Sequence, residues 1–276
     1  MLSTDLYRTR DHVPDFDDRV LEYKRLSSRT RRELRMTADV SYGPDPGQRL
    51  DLFLPAPENA ASQSALPVHI FIHGGYWRMF SKEDFSFVAR TVVDAGAIAV
   101  VLGYDLMPAV RLADVVRQVR EAKSWVLDNI HLYGGDPGRL TVSGHSAGAH
   151  LAAFLFNEGQ PEPPRGALLL GGVYDLRPLR RSFLQPLIEL TDEEVDQFSP
   201  IDHRFLPRVN SVILYGERET IPFRAQAGGL AWQLKDAGCD VQLSALAGAD
   251  HMSSVLDLGF PDREAGSLLT SLIAAN

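Results

Sequence analysis

The chain has 276 residues, of which 45% are hydrophobic, and this length and composition fit one large α/β domain. Its net charge of −8 and its pI of about 5.5 argue against nucleic acid or an anionic membrane as a partner. Cys239 is the single cysteine, which excludes an internal disulfide and indicates a reducing compartment. Residues 1–10 lack the apolar stretch of a signal peptide, and no apolar run approaches the roughly 20 residues of a membrane span. We therefore expect a single cytoplasmic domain over residues 1–276.

The N-terminal part of the chain, residues 1–35, is predicted to be a helical arm that packs on this domain. Apolar side chains recur there at helical spacing, and arginines follow them: Val13, Phe16, Val20, Tyr23 and Leu26, then Arg29, Arg31, Arg32 and Arg35. The arginines could bind an anion, but a solvated helix face is favoured. A β-hairpin is predicted next, with strands at 36–42 and 48–54 around a Gly-Pro turn. Residues 55–67, rich in Ala, Ser and Pro, are typical of a surface loop.

From residue 68 onwards, short apolar runs alternate with helical stretches. Strands are predicted at 68–72, 97–102, 139–143, 166–172, 210–215 and 240–245, and helices near 82–95, 112–130, 147–157, 223–237 and 263–274. This alternation predicts an α/β fold with a mostly parallel central sheet, helices on both faces and the antiparallel hairpin at its start. Residues 174–207 are too many for an ordinary connection, so we expect a lid insertion with helices near 182–190 and 192–198.

The strongest motif is Gly-His-Ser-Ala-Gly at residues 144–148, between an apolar run and a helix-forming stretch. This is the strand–turn–helix context of a nucleophile elbow, in which Ser146 is held in a strained conformation with its hydroxyl exposed above the sheet. A chance Gly-x-Ser-x-Gly is common, but a second motif, His-Gly-Gly-Tyr-Trp at residues 73–77, follows an upstream strand. A loop of this kind supplies backbone N–H groups to an oxyanion hole. The two motifs together predict a serine hydrolase.

The nucleophile requires a histidine base and a carboxylate that orients it, and this fold supplies them in the order serine, acid, histidine. Among the eight histidines, only His251 follows the last strand in the expected loop, so it is the predicted base. The acid is expected after the strand at 210–215, where Glu217 and Glu219 both lie. Glu219 is favoured, because in this fold the acid commonly lies three residues after the glycine that ends this strand. Glu217 remains the alternative.

The remaining site assignments concern the oxyanion hole and the substrate pocket. The hole is predicted to use the N–H groups of Gly75, Tyr76 and Ala147. His73 is favoured as a structural residue of the loop, and His145 as a packing residue of the elbow. The side chains expected to contact substrate are Trp77, Phe80, Phe183 and Leu184. For Trp77 and Phe80, packing in the core is the alternative. No His-Glu-x-x-His motif or thiolate cluster indicates a metal, and the glycines of residues 134–138 are interpreted as a turn.

The chain resembles the kynurenine formamidase (arylformamidase) branch of the α/β-hydrolase superfamily. The resemblance rests on residues 73–77, the following segment at 81–89, Tyr-Asp-Leu at 104–106, and residues 134–137 leading into the elbow. It implies hydrolysis of N-formylkynurenine to kynurenine and formate without a cofactor. It also implies Ser146 as nucleophile, Glu219 as acid and His251 as base, although the branch usually has aspartate as the acid.

Two other functions are compatible with these motifs. The first is a carboxylesterase or amidase for other small acyl or aryl substrates, because related esterases use the same residues. The second is a catalytically inactive hydrolase fold that serves as a binding module, which the complete set of catalytic residues disfavours. The expected partner is a small-molecule substrate. No motif indicates the oligomeric state, so a homo-oligomer stays open.

Overall fold

A computed structural model of the chain describes residues 5–56 and 65–275. Residues 57–64, the middle of the predicted loop at 55–67, lie outside the described part, as do residues 1–4 and 276. Within the described residues, eight strands form one sheet with the order β1-β2-β4-β3-β5-β6-β7-β8. The strands are β1 Arg35–Ser41, β2 Arg49–Leu54, β3 Leu66–Ile72, β4 Ile98–Leu102, β5 Gly135–His145, β6 Gly166–Leu170, β7 Asn210–Gly216 and β8 Val241–Leu246.

The sheet is parallel from β4 to β8 and antiparallel only at its start. Strand β2 runs antiparallel to both β1 and β4, and every other pair of neighbouring strands is parallel. The central strands are fully buried, as expected for parallel strands covered on both faces; all seven residues of β3 are buried. The predicted α/β-hydrolase fold, with a mostly parallel sheet and an antiparallel hairpin, is therefore confirmed.

Helices cover both faces of the sheet. They are α1 Phe16–Glu33, α2 Ala89–Asp94, α3 Leu112–Asn129, α4 Ala147–Ala153, α5 Gln185–Ile188, α6 Asp192–Phe198, α7 Ile221–Asp236, α8 His251–Leu256 and α9 Glu264–Ala274. Alternate residues of a strand enter opposite cores: Val101 packs with α1, α2 and α9, whereas Val100 packs with α3, α4 and α7. None of the helices in the described part of the chain is long and apolar enough to cross a membrane.

Several predicted elements differ in extent from the observed ones. The helix predicted near 82–95 is confined to α2, preceded by a single 3₁₀ turn at Ser86–Val88, and the one at 147–157 ends at Ala153. The helix predicted at 182–190 is only α5, because Glu189 adopts a left-handed conformation and ends it. Of residues 134–138, interpreted as a turn, only Gly134 lies in one, with φ 85°, and β5 begins at Gly135. Helix α8 was not predicted.

Three buried histidines make the folded state sensitive to acid. Burial lowers the pKa of His69 and of His150 to about 3 and that of His73 to about 4, below the usual value of 6.5. Between these values the unfolded chain binds protons that the folded chain does not, so stability is lost as the pH falls from about 6.5 toward 3. We expect each histidine to cost about 1–2 kcal/mol of unfolding free energy between pH 7 and 5. Urea unfolding at the two pH values measures this loss, and an unchanged free energy would contradict it.

Candidate active site

Ser146 lies in a sharp turn between β5 and α4. Its backbone has φ 55° and ψ −119°, a region that costs a non-glycine residue on the order of 1–3 kcal/mol. The flanking glycines allow this turn, because a Cβ on Gly144 would lie 2.2 Å from the Gly148 carbonyl oxygen. A Cβ on Gly148 would lie 2.0 Å from the carbonyl oxygen of Ile72. The elbow is therefore packed too closely for any side chain at either glycine.

Hydrogen bonds and helix geometry fix the orientation of the elbow. The Ser146 N–H donates to the Leu170 carbonyl of the neighbouring strand β6 at 2.8 Å. Ala147 is the first residue of α4, so its N–H has no acceptor within the helix. This geometry leaves the Ala147 amide available to an oxyanion next to the Ser146 hydroxyl.

His251 and Glu219 form a buried pair beside Ser146. His251 Nδ1 lies 3.1 Å from Glu219 Oε2, and the Glu219 side chain is fully shielded from solvent. The other carboxylate oxygen accepts a hydrogen bond from the Gly216 N–H at 3.0 Å. Gly171 leaves room for this long side chain, since a Cβ there would lie 2.9 Å from Glu219 Oε1. The carboxylate can therefore hold the imidazole with its Nε2 free for proton transfer.

The neighbouring carboxylates have other contacts. The exposed Glu217 accepts a hydrogen bond from the Gly248 N–H at 2.7 Å, which ties together the two loops that carry Glu219 and His251. Asp250 caps α8 by accepting from the N–H groups of Met252 and Ser253. The structure thus brings Glu219, and not Glu217, to the histidine.

The loop that follows β3 has an unusual backbone. Gly75, Tyr76 and Trp77 have consecutive positive φ angles of 115°, 54° and 58°. A Cβ on Gly75 would lie 2.2 Å from the Met79 carbonyl oxygen, so the loop can close only with glycine there. Gly75 and Tyr76 lie with Ser146 on the wall of one cavity. This loop therefore lines the cavity beside the elbow.

The other histidines near the elbow bond to backbone carbonyls. His73 Nδ1 hydrogen-bonds with the Gly74 carbonyl at 2.8 Å, and its ring stacks on Tyr104 at 4.3 Å. His145 Nε2 donates to the His251 carbonyl at 2.9 Å, and burial holds the pKa of His145 well below its usual value. His150 points away from the site and contacts the carbonyl of Phe198.

A small cavity of about 20 Å³ opens at Ser146 and His251. Its other lining residues are mostly apolar: Thr9, Phe16, Tyr23, Gly75, Tyr76, Met79, Phe80, Phe85, His145 and Met252. Phe80 therefore lines the cavity. Trp77 lies in the core instead, where its indole N–H donates to His150 Nδ1 at 3.2 Å.

The segment at 174–207 contributes none of the described residues that line this cavity. Leu184 is fully buried in the core, and Phe183 packs edge-on against Tyr76 at 5.3 Å. The cavity is closed instead by residues of the N-terminal arm, which sequence reasoning did not assign to the site. The sequence signal for Phe16 and Tyr23 is their helical spacing. This spacing predicts a packed helix face, but it does not predict a functional site.

The arrangement is suited to nucleophilic acyl transfer. It combines a hydroxyl on a strained turn, an imidazole oriented by a carboxylate, and backbone amides beside the hydroxyl. Within residues 5–56 and 65–275, no group of three or more His, Cys, Asp or Glu side chains could hold a metal ion.

Comparison with known proteins agrees with this geometry. Residues 69–254 match the family described as alpha/beta hydrolase fold. The chain is 31% identical to a kynurenine formamidase of Danio rerio over 244 residues, which cover 84% of this chain and 80% of that protein. It is 30% identical to the esterase LipQ of Mycobacterium tuberculosis, over 80% of this chain and 58% of LipQ.

A solved structure supports the fold independently. The crystal structure of a protein from Silicibacter sp. superposes with a TM-score of 0.82 at 23% identity, covering 98% of this chain and 97% of the other. The chain therefore belongs to the α/β-hydrolase fold family, and it is a hydrolase similar to kynurenine formamidases.

Proposed function

We propose that the enzyme hydrolyses an aryl formamide, with N-formylkynurenine as substrate and kynurenine and formate as products. The observation that carries this proposal is the similarity to kynurenine formamidases, which extends over most of the chain. The site supports it, because Ser146 and the His251–Glu219 pair meet at a small apolar cavity.

The proposed reaction has two half-reactions. His251 accepts the proton of Ser146 as the hydroxyl attacks the formyl carbon, and the N–H groups of Gly75, Tyr76 and Ala147 stabilise the oxyanion. The tetrahedral intermediate then breaks its C–N bond, and the histidine returns the proton to the departing aryl amine. Water, activated by the same imidazole, attacks the formyl ester, and formate leaves as Ser146 regains its proton.

The cavity lining supports an aromatic substrate with a small acyl group. Phe80 and Phe85 offer apolar surface to a flat ring, and formyl is the smallest acyl group. We expect kcat/KM to fall steeply from formyl to acetyl to butyryl on one aryl amine, because each methylene forced into a closed pocket costs about 1–3 kcal/mol. Initial rates on the three anilides measure the series.

The control is the matching acyl series of 4-nitrophenyl esters. Its leaving group is the same in every compound and needs less activation than an aryl amine. Equal rates for the formyl and butyryl compounds in both series would contradict the formamidase proposal.

A carboxylesterase is the second candidate. The similarity to LipQ favours it, as does the mostly apolar lining of the cavity at Ser146. N-formylkynurenine carries an ammonium and a carboxylate, whereas simple esters carry neither. Faster turnover of butyryl esters than of N-formylkynurenine would select this candidate and leave the proposed roles of Ser146 and His251 unchanged.

A further inference from the structure

The hydroxyl of Tyr76 is held at the centre of three hydrogen bonds to the N-terminal arm. It donates to the Tyr7 carbonyl at 2.7 Å, and it lies 3.1 Å from the Thr9 N–H and 2.9 Å from Thr9 Oγ1. A phenol has one proton to donate, so both Thr9 groups must be donors to it. Burial raises the pKa of Tyr76 to about 12, and the hydroxyl therefore stays protonated at neutral pH.

The same residue carries part of the strained backbone beside Ser146. Tyr76 follows Gly75 directly, and both have positive φ angles that persist only where the surroundings impose them. The proposed oxyanion hole uses the amides of these two residues. A side chain clamped at its far end restricts how this backbone can rotate.

The arm is itself fixed to the opposite side of the site. We define the strap as residues 5–16. The Thr220 hydroxyl donates to the Leu6 carbonyl at 2.7 Å, and Gln226 Nε2 donates to the Tyr7 hydroxyl at 3.1 Å. The Tyr7 ring packs on Phe223, whose ring lies 4.5 Å from that of His251. The strap thus links the acid–base side of the site to the loop of Tyr76.

We propose that Tyr76 is a positioning residue whose hydroxyl, clamped by Thr9 and Tyr7 of the strap, holds the Gly75 and Tyr76 amides in place for the oxyanion. This inference rests on the proposed acyl-transfer function but not on the identity of the substrate. It assigns to the strap a role in the chemical step in addition to closing the cavity.

The test is Tyr76→Phe, which removes the hydroxyl and keeps the ring and the backbone N–H. We expect kcat to fall by about 10- to 100-fold, less than the 10²–10³ of losing an oxyanion donor outright, with KM within about twofold. Labelling of Ser146 by an alkyl fluorophosphonate, whose phosphoryl oxygen occupies the same hole, should slow by the same factor. The kcat values are measured with N-formylkynurenine and with 4-nitrophenyl acetate, and the labelling rate is measured with the fluorophosphonate alone.

Matched variants separate positioning from stability. Tyr42→Phe also removes a buried hydroxyl, which donates to the Gly103 carbonyl at 2.6 Å, and it should lower Tm without changing kcat. Thr9→Val removes one of the three bonds and should lower kcat by about fivefold, and Thr9→Ser should restore it. The Thr9 pair also tests the proposal if Tyr76→Phe fails to fold.

The proposal is overturned if Tyr76→Phe keeps kcat and the labelling rate within twofold of wild type, whatever its Tm, or if folded Thr9→Val equals Thr9→Ser. Failure of the wild type to hydrolyse N-formylkynurenine would overturn the substrate assignment alone. The ester and fluorophosphonate rates would still decide the role of Tyr76.

Discussion

Replacing Ser146 with alanine is expected to lower kcat/KM by a factor on the order of 10⁴–10⁶, leaving only the contributions of binding and of the oxyanion hole. The fold should stay intact, because alanine and serine both carry a Cβ and meet the same strain at φ 55°. The N–H at this position still donates to Leu170. Initial rates on the formamide and ester substrates measure the loss, and thermal unfolding checks the fold.

Ser211→Ala provides the matched control. Its hydroxyl is also buried, but it donates to the Val209 carbonyl at the start of β7, away from the elbow. We expect this variant to keep its activity and its labelling by a fluorophosphonate, both of which Ser146→Ala should lose. If Ser146→Ala kept more than about a tenth of the activity, the nucleophile would lie elsewhere. If the wild type had no hydrolytic activity at all, the binding-module alternative would replace the enzyme.

The fold was predictable from sequence wherever local patterns dominate. The buried runs of β3 to β7 are short, apolar and separated by helical stretches, so the strands and their parallel arrangement follow from the alternation. The sheet order, in which β4 lies between β2 and β3, does not follow from it. Element ends were less predictable, because tertiary packing decides them. The segment at 82–95 illustrates this: Ser86 bonds to Lys82, and the chain forms a 3₁₀ turn before α2 begins at Ala89.

Site residues carried by a motif were predictable, and those supplied by distant contacts were not. Ser146, Gly75 and His251 follow from motif and chain order, and the structure brings all three to one cavity. Trp77 belongs to the same motif as Gly75, yet its indole is buried in the core and donates to His150. The strap reaches the site through contacts 67 residues away along the chain, such as Thr9 with Tyr76, and no local pattern encodes them.

Glu219 is the site residue for which a single substitution discriminates best between the sequence alternatives. We expect Glu219→Gln to lower kcat by a factor on the order of 10³–10⁴, because a neutral amide neither stabilises the imidazolium nor fixes the tautomer of His251. The Glu219 side chain is fully buried, so solvent cannot replace the lost negative charge. We therefore expect nearly all of the activity that depends on this carboxylate to be lost. KM should change little, because Glu219 does not line the cavity that opens at Ser146.

Glu217→Gln is the matched control two residues earlier. Glu217 is exposed and accepts a hydrogen bond from the Gly248 N–H, a role that the amide oxygen of glutamine can also fill. We therefore expect kcat within about twofold of wild type, a small effect typical of a surface substitution. Steady-state rates of both variants at neutral pH, with Tm measured alongside, make the comparison. A larger loss from Glu217→Gln than from Glu219→Gln would reverse the assignment, and equal small losses would mean that the imidazole is oriented without a carboxylate.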